Sequence, residues 1–303
     1  MSTTSHAGYA PRSGTAVYAK VMWRLLPFLF LCYLCAYLDR VNVSFAKLQM
    51  LSDLGMSEAV YGLGAGIFFV GYLMFEVPSN LILLRVGARR WIARIMVTWG
   101  LISAAMMFVT TPTSFYIMRF LLGVAEAGFI PAILLYLTYW FPSSQRSKVT
   151  ALFLTGIPMS GVVGGPLSGW IMSSMSGAHG LAGWQWLFLL EGIPTVLIGV
   201  VAFFFLDDKV EDAKWLTRDE KDLIARNLNE EQSGQNKLHS LRDGLLSPRI
   251  LLLSGIYFCF TMGLYGVSFW LPSLVKAAGV SDTMDIGLLS ALPYAAATLA
   301  MIM

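Results

Sequence analysis

Charge is what this sequence has least of. Asp, Glu, Lys and Arg make up 13% of the 303 residues, about half the share of a water-facing domain, so most of the surface faces something other than water. Histidine is scarce too: His6, His179 and His239 all fall outside the apolar segments, which argues against a metal site within them. Cys32, Cys35 and Cys259 lie inside such segments. Cys32 and Cys35 spell C-x-x-C without a surrounding βαβ pattern, so small apolar filler is a better account than redox or metal chemistry. No intramembrane histidine, Ser–His pair or H-E-x-x-H motif is present, and an enzyme is not expected. The first 20 residues lack an apolar core, so the first apolar segment is expected to be its own uncleaved insertion signal.

Apolar residues are abundant, at 56% of the chain, and mean hydropathy is +0.66. They form eight segments, 25–45, 60–84, 91–110, 114–140, 149–172, 185–206, 250–271 and 285–303. About 20 residues at roughly 1.5 Å each cross a hydrocarbon layer of about 30 Å. Backbone polar groups in hydrocarbon need internal partners, so the segments must be helices. Pro131, Pro158, Pro166 and Pro194 are tolerated where neighbours satisfy the freed carbonyls. The expected fold class is all-α integral membrane.

With the N-terminus on the cytoplasmic side, most Lys and Arg fall on that side, among them Arg12, Lys20, Arg24, Arg146, Lys148 and Arg249. Only Lys47 and Lys276 fall outside. Such a bias sets orientation. Basic residues that flank helices also remove the +3 net charge as a sign of nucleic-acid binding. The expected partners are the lipid bilayer and a small solute, with the chain acting as a monomer and no nucleic acid involved.

The organisation expected is a cytoplasmic tail (1–20), a six-helix bundle (21–206), a cytoplasmic linker (207–249) and the first two helices of a second bundle (250–303). Thr217 to Glu220 forms a capping box before the amphipathic stretch RDEKDLIARNL. A second bundle matching the first would need four more helices, so the chain is expected to be truncated after its eighth.

A charge at mid-bilayer costs about 2.5–3.5 kcal/mol, which makes every intramembrane ionisable group a functional candidate. These are Asp39 and Arg40 in the first segment, Glu76 in the second, Arg119 and Glu126 in the fourth, and Glu191 in the sixth. Arg119 and Glu126 are seven residues apart, so they share a helix face roughly 10 Å apart, with Gly123 leaving room between them. Arg40 is expected at a similar depth. Arginine stays protonated and grips a carboxylate with a planar fork, while burial favours the protonated form of an acid. Together these suit anion–proton symport; ion pairs that lock helices are the competing account. Asp39, Arg40, Arg119 and Glu126 are assigned to function. Glu76 and Glu191 are assigned structural roles, Glu191 as an ion-pair member. Gly62, Gly64 and Gly66 are expected to serve close helix packing. Gly161, Gly164, Gly165 and Gly169 with Pro166 mark a fifth helix that packs closely or bends.

Six ordered strings, YLDRVNVSFA (37–46), GYLMFEVPSNLIL (71–83), RFLLGVAEAGFIPA (119–132), WLFLLEGIP (186–194), GVSFWLPSLVK (266–276) and IGLLSALPY (286–294), carry a resemblance to the major facilitator superfamily and, within it, to the anion:cation symporters. The resemblance runs from about residue 20 to the end. It implies two pseudo-symmetric bundles that rock about a central site. It also implies anion recognition by Arg40 and Arg119, proton coupling at Asp39 and Glu126, and pocket roles for Tyr37 and Tyr72. Arg85, Gly87, Arg89 and Arg90 match the superfamily's cytoplasmic gating turn, but Leu84 stands where an acid is usual, so an acidic partner must come from elsewhere or be absent.

The function implied is import of a small carboxylate (tartrate-like, sugar-acid or aromatic-acid) with protons, across a bacterial inner membrane and without a cofactor. An exporter or exchanger of the same fold, and a non-transporting remnant, remain alternatives.

Overall fold

The computed structural model describes residues 11–234 and 247–303; His6, His239 and linker residues 235–246 lie outside them. Within this range the chain is helical, with no strand among the described residues. The helices are α1 (Pro11–Asp53), α2 (Glu58–Val86), α3 (Ala88–Ala105), α4 (Pro112–Glu126), α5 (Phe129–Thr138), α6 (Ser143–Leu154), α7 (Gly156–Ser174), α8 (Gly183–Phe205), α9 (Arg218–Gly234), α10 (Pro248–Ala277) and α11 (Thr283–Ile302). Eight stretches are long and apolar enough to cross a membrane, the fourth formed by α4 with α5 and the fifth by α6 with α7. Their mostly lipid-facing outer surfaces carry exposed Leu, Val and Phe, as the shortage of charge requires.

Two spans that the hydropathy pattern shows as continuous are broken. At the first break Gly128 adopts a left-handed conformation (φ 85°), which favours glycine. The Ala127 carbonyl at this break accepts a hydrogen bond from the Ser79 hydroxyl of α2 (2.7 Å). The break leaves Glu126 as the last residue of α4. At the second break the turn passes through Thr155, three residues before Pro158, whose missing N–H cannot serve a helical ladder.

Helices meet where glycine lets backbones approach. Gly71 and Gly123 join α2 to α4, and a Cβ on Gly123 would overlap the Phe68 carbonyl. Gly100 and Gly192 join α3 to α8, while Gly165, Gly169 and Gly287 join α7 to α11. Close packing therefore accounts for the glycines of the fifth span. In the second span Gly64 meets the Phe115 ring, but Gly66 has open space within 4 Å, so the packing expectation fails there.

The first helix is much longer than its apolar run. Its N-terminal part places Val17, Tyr18 and Val21 against the linker helix α9, whose Ile224 is fully buried. Asn227 donates to the Tyr18 hydroxyl (3.0 Å), and Lys20 pairs with Glu220 (2.8 Å). Glu220 also completes the capping box, accepting from the Thr217 N–H (2.8 Å). The C-terminal extension of α1 carries Lys47, expected in a loop, into a helix, where it is buried and paired with Glu58 (2.6 Å).

Of the last two spans, α11 packs along α7, from Thr283 beside Gly169 to Tyr294 beside Gly161, whereas α10 meets α1 and α2 through one half only. The C-terminal half of α10 reaches α1 and α2: Tyr61 donates to the Phe269 carbonyl (2.9 Å), and Lys276 to the Leu48 carbonyl (3.3 Å). Lys47 lies 4.6 Å from the Tyr61 ring centre and 5.7 Å from that of Trp270. The opposite half of α10 is exposed from Ile250 to Phe260. α10 is thus joined to α1 and α2 through its C-terminal half alone.

Overpacking a tight site costs about 1–3 kcal/mol. Gly123→Val is expected to lower the melting temperature in detergent clearly, and Gly66→Ala to leave it nearly unchanged; equal effects would contradict the packing described. The hydrogen bond from Lys20, reinforced by the Thr217 backbone, holds the Glu220 carboxyl below its ordinary range. A depressed acid stabilises the fold above its unfolded pKa and loses that contribution as pH falls through its folded value. Hydrogen exchange in 218–231, corrected for intrinsic rates, is therefore expected to accelerate on acidification, and less so in Lys20→Ala.

Candidate functional site

Arg40 lies in the second half of the apolar part of α1, with its guanidinium turned toward α4 and α10. Its Nη2 pairs with Glu126 Oε1, and its Nη1 donates to the Tyr265 hydroxyl. The guanidinium carbon sits 5.5 Å from the Phe68 ring centre and 5.4 Å from that of Tyr72. Arg119, two turns earlier than Glu126 on α4, approaches the same Phe68 ring at 4.8 Å. Phe68 thus has a guanidinium at each of two approaches, an arrangement that stabilises buried cations by up to about 2 kcal/mol each when desolvated.

The two arginines differ in their partners. Arg40 is neutralised by Glu126. Arg119 is fully buried, yet only its Nε has a partner, the Gly64 carbonyl at 3.4 Å. Both of its terminal nitrogens are unpartnered, as is Glu126 Oε2. An unpaired buried guanidinium is costly by several kcal/mol, and its four unused N–H groups match the fork geometry of a carboxylate.

The structure brings Arg40, Arg119, Glu126 and Tyr72 together, but Asp39 does not join them. Adjacent residues on a helix point about 100° apart, and Asp39 faces α3 and α8 instead. Its Oδ1 accepts from Ser103 (2.8 Å) and Asn42 (3.4 Å), and its Oδ2 from Thr195 (3.1 Å). Convergence of two arginines and two acids on one cavity is therefore corrected to two arginines and one acid. Tyr37 is buried one turn before Arg40, with its hydroxyl unpartnered.

The ion pair expected of Glu191 is not formed among the described residues: Ser168 donates to its Oε1 (2.9 Å), and Oε2 is unpartnered. Glu76 is half-buried one turn beyond Tyr72 on α2, where the charge of Arg40 reaches it. At the turn between α2 and α3, the acid that Leu84 does not supply is Asp208, just past the end of α8. Its Oδ1 accepts from the Arg89 N–H (2.9 Å) and its Oδ2 lies 3.7 Å from Arg89 Nε. Gly87, at φ 95°, leaves the space that Asp208 occupies. Arg85 and Arg90 are exposed.

Sequence reasoning missed Tyr265, Phe68 and Asp208. Tyr265 carried a signal, a hydroxyl inside an apolar span, and Asp208 another, an acid pair at a helix end. Phe68 carried none, because one phenylalanine among many is not distinguishable without its neighbours. A cavity of about 570 Å³ between α2 and α10 is lined by Phe69, Met262, Tyr265 and Phe269 among others, and Tyr265 connects it to Arg40. Cys32 and Cys35 are buried free thiols, and among the described residues no three His, Cys, Asp or Glu side chains gather as metal ligands would.

The chain is similar to known proteins along most of its length. It is 56% identical over 289 residues, 95% of this chain and 66% of the relative, to "Putative metabolite transport protein NicT" of Pseudomonas putida. It is 51% identical over 288 residues, 95% of this chain and 64% of the relative, to "Putative tartrate transporter" of Agrobacterium vitis. It thus spans just under two thirds of these relatives. Among solved structures it resembles the xylose transporter XylE from E. coli in a partially occluded inward-open conformation, with a TM-score of 0.72 at 14% identity over 93% of this chain and 72% of that one. It also resembles a bacterial homologue of the human lysosomal transporter Spinster, with a TM-score of 0.71 at 18% identity over 91% of this chain and 58% of that one. The Major Facilitator Superfamily profile matches residues 29–303, and the chain belongs to that family.

Proposed function

We propose that this chain is the binding-site portion of a transporter that imports a small organic carboxylate with protons by alternating access. The observation that carries the reading is the fully buried Arg119 with both terminal nitrogens unpartnered beside the Arg40–Glu126 pair. A substrate carboxylate would accept from Arg119 in a fork and share Arg40. Glu126 holds the place of an anion on Arg40. A proton on its free Oε2 would weaken that pair and release Arg40 to the substrate, so that proton and anion enter together. Asp39 is the second coupling acid that the family resemblance implies. Names carried by relatives, tartrate among them, support a carboxylate.

Orientation follows from the basic residues. If the end bearing Arg85, Arg89, Arg146 and α9 lies in the cytoplasm of a bacterial inner membrane, the half of α10 that meets α1 and α2 is the outer one. Outward transport or exchange by the same site is a second reading, favoured by one relative, 43% identical over 284 residues, named a quinolone resistance transporter of Acinetobacter baumannii.

Truncating one side of a buried charged contact costs about 2–5 kcal/mol, or roughly 30-fold and more in affinity. Arg119→Gln is expected to weaken tartrate or phthalate binding by at least that factor in nanodiscs, and Arg119→Lys to recover only part because it lacks the fork. Wild-type affinity in Arg119→Gln would refute the site. In proteoliposomes, Glu126→Gln is expected to bind the anion but lose its accumulation under a pH gradient. Accumulation at the wild-type level would remove Glu126 from coupling and leave the anion site standing.

A further inference from the structure

On the far side of α1 from Arg40 lies a second polar cluster, buried and without a base. Asp39 and Asn42 of α1, Ser103 of α3, Ser168 of α7, and Glu191 and Thr195 of α8 are each no more than 6% exposed. Thr195 Oγ1 lies 3.1 Å from Asp39 Oδ2 and 3.1 Å from the Glu191 backbone carbonyl one turn earlier on α8. The other side chains packed on the pair are Cys35 of α1 and Trp99 of α3. Arg40 is committed to Glu126 and Tyr265. Among the described residues, no lysine, arginine or histidine forms a salt bridge with either acid.

Two carboxylates cannot both stay ionised at such a place, because neither solvent nor a counter-charge offsets them. One must hold a proton, and the hydrogen bonds distinguish which. Asp39 accepts from Ser103 and Asn42 and shares the single Thr195 hydroxyl hydrogen with the Glu191 backbone carbonyl, the kind of setting that favours the ionised form. Glu191 accepts one, from Ser168, and its Oε2 has no donor. Asn42, whose side chain neighbours Glu191, has a buried Oδ1 that also lacks a partner. Glu191 Oε2 and Asn42 Oδ1 each lack a donor, and a proton on the Glu191 carboxyl would supply one.

We infer that the resting proton of this cluster sits on Glu191, which is neutral while Asp39 is ionised at neutral pH and free to take up a proton during the cycle. This deepens the symport reading by adding a proton site separate from the anion site, reached when helix motion changes the hydroxyl and amide groups around the pair. The consequence for coupling rests on that reading, but the protonation state does not.

The test is infrared spectroscopy of the full chain in nanodiscs, without substrate, in choline buffer at neutral pH. A protonated-carboxyl stretch is expected that shifts with carboxyl-13C glutamate but not with labelled aspartate. It should disappear in Glu191→Gln and persist in Glu126→Gln. In Asp39→Asn, loss of the neighbouring charge should move its titration to lower pH. The inference is overturned if the band is absent, responds to labelled aspartate, survives Glu191→Gln, or vanishes when sodium replaces choline, which would make sodium the occupant. The isotope arm decides the matter even if Glu191→Gln fails to fold. A Glu191 band with no pH-driven uptake would defeat symport while leaving this assignment intact.

Discussion

Burying cations in a body built to face lipid is the constraint from which the rest of this structure follows. Arg40 and Arg119 are each no more than 6% exposed, and every surrounding feature makes their presence tolerable. Glu126 neutralises one of them. Phe68 offers its ring to both. The break at Gly128 ends α4 at Glu126, and Ser79 satisfies a carbonyl at that break. Gly123 lets α2 come close enough for Phe68 to lie between the guanidiniums. What remains unmet is the pair of terminal nitrogens of Arg119, where the proposed anion would bind.

Helix 1 divides the polar interior into two compartments. Arg40 faces a positively charged, aromatic-walled one, and Asp39 a hydroxyl-lined one with two acids and no base. Neighbouring residues on one helix thereby serve opposite electrostatic tasks. A rotation or tilt of α1 would act on both, which gives a physical route for coupling between an anion on one side and a proton on the other.

Much of this was legible in the sequence. Apolar runs marked all eight spans, because a hydrocarbon layer imposes a length that no other environment does. The shortage of intramembrane charge also picked out Arg40, Arg119 and Glu126, which the fold buries around Phe68 and Tyr72. Partners were harder to read. Seven-residue spacing places Arg119 and Glu126 on one face, but it says nothing of Arg40 crossing from another helix to take Glu126. Asp208 was hidden for a related reason: it lies far along the chain from Arg89 and joins it only when α8 returns to the turn between α2 and α3. Glu191 was assigned an ion pair because buried acids usually have one. Its true neighbours, Ser168 and Asn42, are small polar residues that hydropathy does not mark.

The central claim, an anion held between Arg119 and Arg40, is tested most directly by anomalous diffraction from crystals soaked in a brominated phthalate. The account predicts bromine density beside Phe68, with a carboxylate on the Arg119 terminal nitrogens and Glu126 released from Arg40. Bromine confined to the apolar space between α2 and α10, with the Arg40–Glu126 pair intact, would contradict it.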